Sequence, residues 1–413
     1  MDLTTLGRAD FGRLVAQLAS EIGRHHVDLA EDAVQEAFVA ATRTWPEQGE
    51  PADPPAWLYR VAKNRAIDAL RRAPHQPLDP SLPAPPESPA DGLGDPELAL
   101  VFLCCHPALG RSSQVTLTLR VAAGFSVPEI ARLFRTEVDA IDQRLVRAKR
   151  TLRALGREVE LLPGDLPVRL DAVLEVLYGM FTEGYSSGSA PDGIRADLCR
   201  ESLRLVGLLL ADARTASVAA RALGALFAFH HARLAGRVND HGQLLLLRDQ
   251  DRTRWDQGLI ARGLAMLASS ASGSLTRYHL EAEIASCHAV APRYEETDWG
   301  RIIELYTLLE EGWPSATVAL NRAIAIAEHA DPGTSLAALD QAAGRFGELR
   351  NDASFLAARA DVIGRLGDRA GAEEGFRAAL ARAMAPAARR LIADRAGPTP
   401  GVVGSGPARP SDG

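Results

Sequence analysis

Cysteine is scarce in this chain of 413 residues, which carries four: Cys104, Cys105, Cys199 and Cys287. Neighbours such as Cys104 and Cys105 rarely close a disulfide, and no CxxC pair is present, so neither a disulfide framework nor a zinc-type site is expected. His106 follows the pair, but VFLCCHPAL reads as a buried apolar helix, where free cysteine is common. There is no run of ~20 apolar residues to span a membrane. No charged start followed by an apolar core marks a secretory signal. A cytoplasmic protein without membrane contact is therefore expected. Aromatic residues amount to 5%. Period-2 alternation is nearly absent, LLLLRD at 244–249 being the best strand candidate, so the fold class is read as all-α. The long C-terminal part holds no Gly-rich phosphate loop, HExxH or GxSxG. No catalytic residue, cofactor or metal is expected, and the chain is read as a non-enzyme.

Apolar residues make up 46% and charged residues 24%, enough for a sizeable core, and the length calls for two to four domains. The net charge of −7 is unevenly spread. Residues 57–73 hold five Lys/Arg against one Asp, and residues 132–157 hold eight against three acids. Two basic patches are thus hidden in an acidic total. The punctuation divides the chain. Helical periodicity covers 8–74. The Pro, Ser, Gly and Asp of 75–96 make a linker. Helices resume over 97–160, and LLPGDLP at 161–167 breaks them again. A longer helical region spans 168–395, and the tail 397–413 is expected to be disordered. Near 315–385 two helical hairpins look alike at an offset near 40 residues, slightly long for a tetratricopeptide unit.

Three helices carry chemistry. On a helix over 28–45, Leu29, Ala33, Ala37, Ala41 and Trp45 form an apolar stripe edged by Val34 and Phe38. Asp28, Asp32, Gln35 and Glu36 cluster opposite it. Asp28 also fits an N-cap, with Glu31 three residues on as a capping box requires. The next helix, entered through Pro54 and Pro55, places Leu58, Val61, Ala62, Ile67 and Leu70 inward. Arg60, Lys63, Asn64, Arg65, Arg71 and Arg72 line the remainder, with Trp57 and Tyr59 at its start. Basic groups neutralise phosphates, and an aromatic ring offers a platform for an unstacked base. The third element is a helix-turn-helix. Ser126 caps a short helix with Glu129 completing the box, a turn at 135–137 follows, and Ile141, Leu145, Ala148 and Leu152 face inward on the second helix. Its outward Gln143 and Arg144 are candidates for base edges, while Arg147, Lys149 and Arg150 are placed to hold phosphates.

Taken together, DLAEDAVQEAF, PAWLYRVAKNRAIDALRR and FSVPEIARLF…AIDQRLVRAKRTLR resemble, in order and spacing, the extracytoplasmic-function (ECF) sigma factors of bacterial RNA polymerase. The resemblance implies two small helical domains, region 2 over 8–74 and region 4 over 97–160, joined by a linker and followed by a larger helical extension. It implies that Asp28, Asp32, Gln35 and Glu36 dock on the β′ clamp helices of core polymerase. The segment from Pro46 to Pro55, with Trp57, Asn64, Asp68, Arg71 and Arg72, then reads and melts the −10 element, and Arg60, Lys63 and Arg65 of the same basic helix are counted with it. The helix 139–153, with the β flap as its polymerase partner, reads the −35 element. Asp142 departs from the basic residue of many members, so the −35 sequence is not transferable.

VLYGMFTEGYSSG at 176–188, DQDRTRWDQGLIARG at 249–263 and the alanine-rich hairpins resemble the subgroup with a tetratricopeptide-like extension. There Asp249, Asp251, Arg252 and Trp255 are expected to form a buried ion-pair network. The expected function is a sigma factor tuned in cis by its extension, which leaves room for a regulatory protein or ligand. The alternatives are a stand-alone DNA-binding regulator and an interaction scaffold.

Overall fold

The computed structural model describes residues 8–72, 93–159, 163–188 and 190–396. Most of the linker expected at 75–96 and the tail expected at 397–413 lie outside the described residues. Those described are helical with no β-ladder. LLLLRD yields an isolated antiparallel bridge, Val238 to Leu244, followed by a 3-10 turn at Leu247–Asp249. Its leucines are only half-buried, so no second strand covers them. By packing, the chain falls into two compact units. One combines the chain up to 189 with 194–231 and 262–274; the other combines 190–193, 232–261 and everything from 275 onward.

In the first unit, α1 (Arg8–Ile22), α2 (Val27–Gln48) and α3 (Pro54–Arg72) pack together. Leu14, Val15, Leu18, Val34, Ala37, Leu58 and Ala62 fill their core. The helix expected to begin at Asp28 begins at Val27, behind a 3-10 turn, and its cap His26 makes no side-chain cap bond. Asp28 is therefore a first-turn residue, not an N-cap. Asp95 opens α4 (Pro96–Cys104) by accepting from the amides of Glu97 and Leu98. Helix α5 (Arg111–Leu117) runs into a π-turn, Thr118–Ala122. Then come α6 (Val127–Phe134) and α7 (Val138–Leu155), bearing the expected capping box of Ser126 and Glu129. The turn between them contains Arg135 at φ 50°, a left-handed residue without glycine. Cys104 and Cys105 are buried in α4 and its cap, and burial pushes the Cys105 thiol up to about 12.

Helix α8 (Leu166–Tyr185) packs on α4 and α5, and α9 (Ala196–Ala211) packs on α4 and α8. The boundary expected near 160–168 is thus not a packing boundary. Arg204 of α9 donates to Glu97 at 2.5 Å and to Glu201 at 2.7 Å. Arg111 reaches the Ala172 carbonyl and the Glu175 carboxylate. Arg135 donates to the Gly188 carbonyl at 2.6 Å, and a Cβ on Gly188 would stand 2.1 Å from that guanidinium. Helix α10 (Val218–Ala232) stacks Phe227 on Phe181 at 4.1 Å. Helix α11 (Gln257–Ser269) crosses the unit boundary.

The second unit is a row of helical hairpins: α12 (Arg277–Val290), α13 (Trp299–Gly312), α14 (Ala316–His329), α15 (Pro332–Arg345), α16 (Ala353–Arg365), α17 (Arg369–Arg382) and α18 (Pro386–Ala396). Each packs on the next. The self-similarity has a structural register. Ser315 and Asp352 cap the first helix of successive hairpins, and Asp331 and Asp368 cap the second at the same spacing. Leu339 and Phe376 occupy equivalent buried places. The ion-pair network expected at 249–255 is not formed. Asp249 and Asp251 are exposed. Arg252 instead donates to the carbonyls of His288 and Ala291 at the end of α12, where a cation meets the negative end of the helix dipole. Its guanidinium lies 4.7 Å from the centre of the Trp255 ring, and that of Arg233 lies 5.2 Å from it.

Two stability predictions follow from this packing. A Cβ on Gly12 of α1 would fall 2.1 Å from the Ala122 carbonyl oxygen. Gly12→Ala is expected to cost about 2 kcal/mol by overpacking, measured by urea unfolding. Arg204→Ala leaves Glu97, 6% exposed, without its partner. It is expected to cost about 2–3 kcal/mol and to make a chain ending at 160 unstable by the same mechanism.

Candidate nucleic-acid and partner interfaces

Helix α2 buries Val27, Ala30, Ala33, Val34, Ala37, Ala41 and Trp45, close to the expected stripe, with Leu29 only half-buried. Asp32 and Glu36 are exposed, while Asp28 and Gln35 are partly covered. Gln35 donates to Glu31 at 2.7 Å, and Glu36 lies 3.6 Å from Arg65 of α3. Both members of that second pair are largely in water, so it contributes little. Desolvation raises the Asp32 carboxyl above the ordinary carboxylate range, Lys149 opposes the rise, and Glu31 and Glu36 add to it.

On α3, Arg60, Asn64, Arg65, Asp68, Arg71 and Arg72 are exposed on one long polar surface. Lys63 is half-buried and pairs with Glu21 at 2.7 Å. Trp57 is partly covered, edge-on to Trp45 at 5.5 Å. Its ring is thus held by the bundle and only partly exposed. Leu58, Ala62 and Ala66 are the buried positions, and Val61, Ile67 and Leu70 are partly covered.

On α7 the inward set is as expected, with Ile141, Leu145, Ala148 and Leu152 buried. Gln143, Arg147 and Arg150 point to solvent, as does Asp142. Arg144 and Lys149 do not. Arg144 donates to Thr116 at 3.3 Å and lies over the Phe134 ring. Lys149 is clamped on Glu31 of α2 at 2.5 Å. The five residues expected on one reading face therefore split into three free and two engaged.

Glu31 is the residue that the sequence reading misplaces. Expected as the outer member of a capping box, it is 1% exposed. Its carboxylate takes Arg120 at 2.6 Å from the π-turn and Lys149 at 2.5 Å from α7. Asp28 one turn earlier pairs with Arg153, also of α7. Arg120 further donates to the Phe125 carbonyl and lies over Phe11 of α1. Burial holds the His26 imidazole below its usual value, helped by His25 and Arg153. A pattern in the sequence could have revealed the position. Val27, Ala30, Glu31 and Val34 stand at i, i+3, i+4 and i+7, a buried quartet with one charged member. Removing one partner from such a buried pair costs on the order of 3–5 kcal/mol. Among the described residues, no group of three or more His, Cys, Asp and Glu is placed to hold a metal ion. No helix among them is long and apolar enough to cross a membrane.

Comparison with known proteins gives this arrangement a family. Residues 9–75 match the Sigma-70 region 2 family, and residues 169–271 match DUF6596, a family of unknown function. An uncharacterized protein of Rhizobium meliloti is 39% identical over 76% of this chain and 77% of its own length. ECF RNA polymerase sigma factor ShbA of Streptomyces griseus is 30% identical over 33% of this chain and 74% of its own. ECF RNA polymerase sigma factor SigM of Mycobacterium tuberculosis is 30% identical over 31% and 64%. No solved structure matches the chain. With a region 2 helical bundle at its start and ShbA matched over most of that protein's length, the chain belongs to the ECF RNA polymerase sigma factor family.

Proposed function

We propose that this protein is a promoter-recognition subunit. It binds bacterial core RNA polymerase through Asp28, Asp32, Gln35 and Glu36 on the β′ clamp helices, with the β flap as a second contact. Residues 97–160 act as region 4. Trp57, Arg60, Lys63, Asn64, Arg65, Asp68, Arg71 and Arg72 read and open the −10 element; Gln143, Arg147 and Arg150 serve the −35 element directly, with Arg144 and Lys149 beside them on α7 held in contacts of their own. The observation that carries this reading is family membership joined to the outward row of Gln143, Arg147 and Arg150 on a helix whose other face is fully buried. The chain works without a catalytic group or cofactor, in the cytoplasm. Extended, residues 75–96 reach roughly 70 Å at about 3.3 Å per residue, enough to let two DNA-reading domains address two separated elements.

The helical extension tunes this activity in cis. Its hairpins are of the tetratricopeptide-like kind, and their surface is where a regulatory protein or ligand acts. The support is the covalent attachment, the size of the second unit and the repeated capping register of α14–α17.

Run-off transcription on the promoter of the protein's own gene tests the first part. A transcript is expected only when both core polymerase and the full-length chain are present. Duplex binding without polymerase, and no transcript, would favour a stand-alone regulator. Arg147→Ala and Arg150→Ala are each expected to weaken promoter binding at every sequence and to lower the salt slope by about one. Trp57→Ala is expected to spare closed-complex binding and to lose permanganate-detected opening. A chain ending at 274, which keeps every segment of the first unit, is expected to change transcript yield. Equal yields under all conditions would end the cis-modulation reading.

A further inference from the structure

The leucine run that reads as a strand in the sequence has a place in the second unit. It belongs to a hairpin-like strap, closed where Leu245 donates to the Arg237 carbonyl and Asn239 to that of Gln243. The chain from 244 to 252 then crosses alternate helices of the row. Arg252 holds the end of α12. Glu328 of α14 is bonded by Tyr294, with Arg248 and Arg252 in electrostatic reach. Arg248 lies 3.8 Å from Asp361 of α16. Leu244 and Ala387 of α18 meet at Gly193, where a Cβ would stand 2.9 and 3.1 Å from them.

The two parts of this crossing are held unequally. Gln250 and Trp255 are buried, and Arg252 is bonded to two carbonyls. Leu244, Leu245, Leu246 and Leu247 are only half-buried, and the Arg248 side chain is 46% exposed. Asp361 already has Arg395 of α18, so Arg248 is a second cation on one carboxylate. Burial, with the charge of Arg248 beside it, pulls Arg395 down to about 10. A long pair shared with water and opposed by a like charge adds little. The strap therefore covers the row without being fixed to it.

On the reading that a regulatory protein acts on these hairpins, we propose that residues 243–248 are the chain's own occupant of a groove across α12, α14, α16 and α18. The outside partner of this groove is a protein segment of the same chemistry, extended, rich in leucine and carrying an arginine for Asp361, which exchanges with the strap. Such a segment uses the places that Leu244 and Arg248 vacate, while Gln250 to Trp255 stay anchored. Because it binds only when the strap has lifted, its apparent affinity is reduced by the lifted fraction.

A fluorescent peptide of residues 243–252, QLLLLRDQDR, added to the full-length chain tests this by anisotropy. The wild type is expected to bind it weakly. Arg248→Glu in the protein sets an acid against Asp361 and is expected to bind the peptide about five- to tenfold more tightly. A peptide carrying glutamate in place of its first arginine is expected to lose that gain. Arg369→Glu, exposed on α17, is expected to behave as the wild type. Should Arg248→Glu lose cooperative unfolding, Arg248→Ala carries the test with a gain of about two- to threefold. Equal affinity of the wild type and a well-folded Arg248 variant would overturn the groove, as would equal binding of the two peptides, which marks apolar adhesion alone. No polymerase enters the assay. Peptide exchange in a chain that supports no transcription keeps the groove and overturns the sigma-factor reading by itself.

Discussion

A carboxylate with 1% exposure at the centre of α2 organises the first unit. A buried carboxylate needs partners, and Glu31 has two cationic ones, one from the π-turn before α6 and one from α7, besides the Gln35 amide. Those partners come from the other side of a long connection, so the charge requirement of one side chain joins the first three helices to the four that follow. Arg120 shows how closely the requirement is met. It serves Glu31, the Phe125 carbonyl and the Phe11 ring at once. The π-turn that presents it approaches α1 where Gly12 leaves space.

The same logic of satisfying buried charge ties the chain together across the obvious sequence break at 161–167. Glu97 at the start of α4 is held by Arg204 from α9. The left-handed Arg135 between α6 and α7 is held by the Gly188 carbonyl. Arg195 lies over Phe125. Helix α9 and the segment that leads into it thus supply a counter-charge and an acceptor to the proposed DNA-reading block. The DUF6596 match, which begins at 169, covers residues that complete a fold begun earlier in the chain.

Arginine has several different jobs here, and a charge count does not separate them. In the second unit Arg252 ties the end of α12 to a tryptophan, and Arg365 donates to the Ala327 carbonyl. Arg322 and Arg345 converge on Glu310. On α7, by contrast, Arg147 and Arg150 remain in water. A guanidinium with five donors can close off helix ends and still stack on a ring, which makes it useful as internal mortar as well as for phosphates.

What the sequence alone determined was local. Periodicity settled the all-α class, the inward stripes of α2 and α7 and the Ser126–Glu129 cap, because each depends on residues within a turn or two. The basic and acidic faces were legible for the same reason. Tertiary structure decided which charges on those faces are free. Lys149 and Arg144 share a helix with Arg150 and Arg147 yet point into contacts, since their partners Glu31 and Thr116 lie far away in sequence. Glu31 fitted a capping box equally well on paper, but a 3-10 turn shifted the helix start and made it a buried anchor. Asp249 and Asp251 sat beside Arg252 in the chain, but the guanidinium found helix-end carbonyls instead. Long-range pairing of charges depends on distances that only folding sets, so no local pattern could rank these partners.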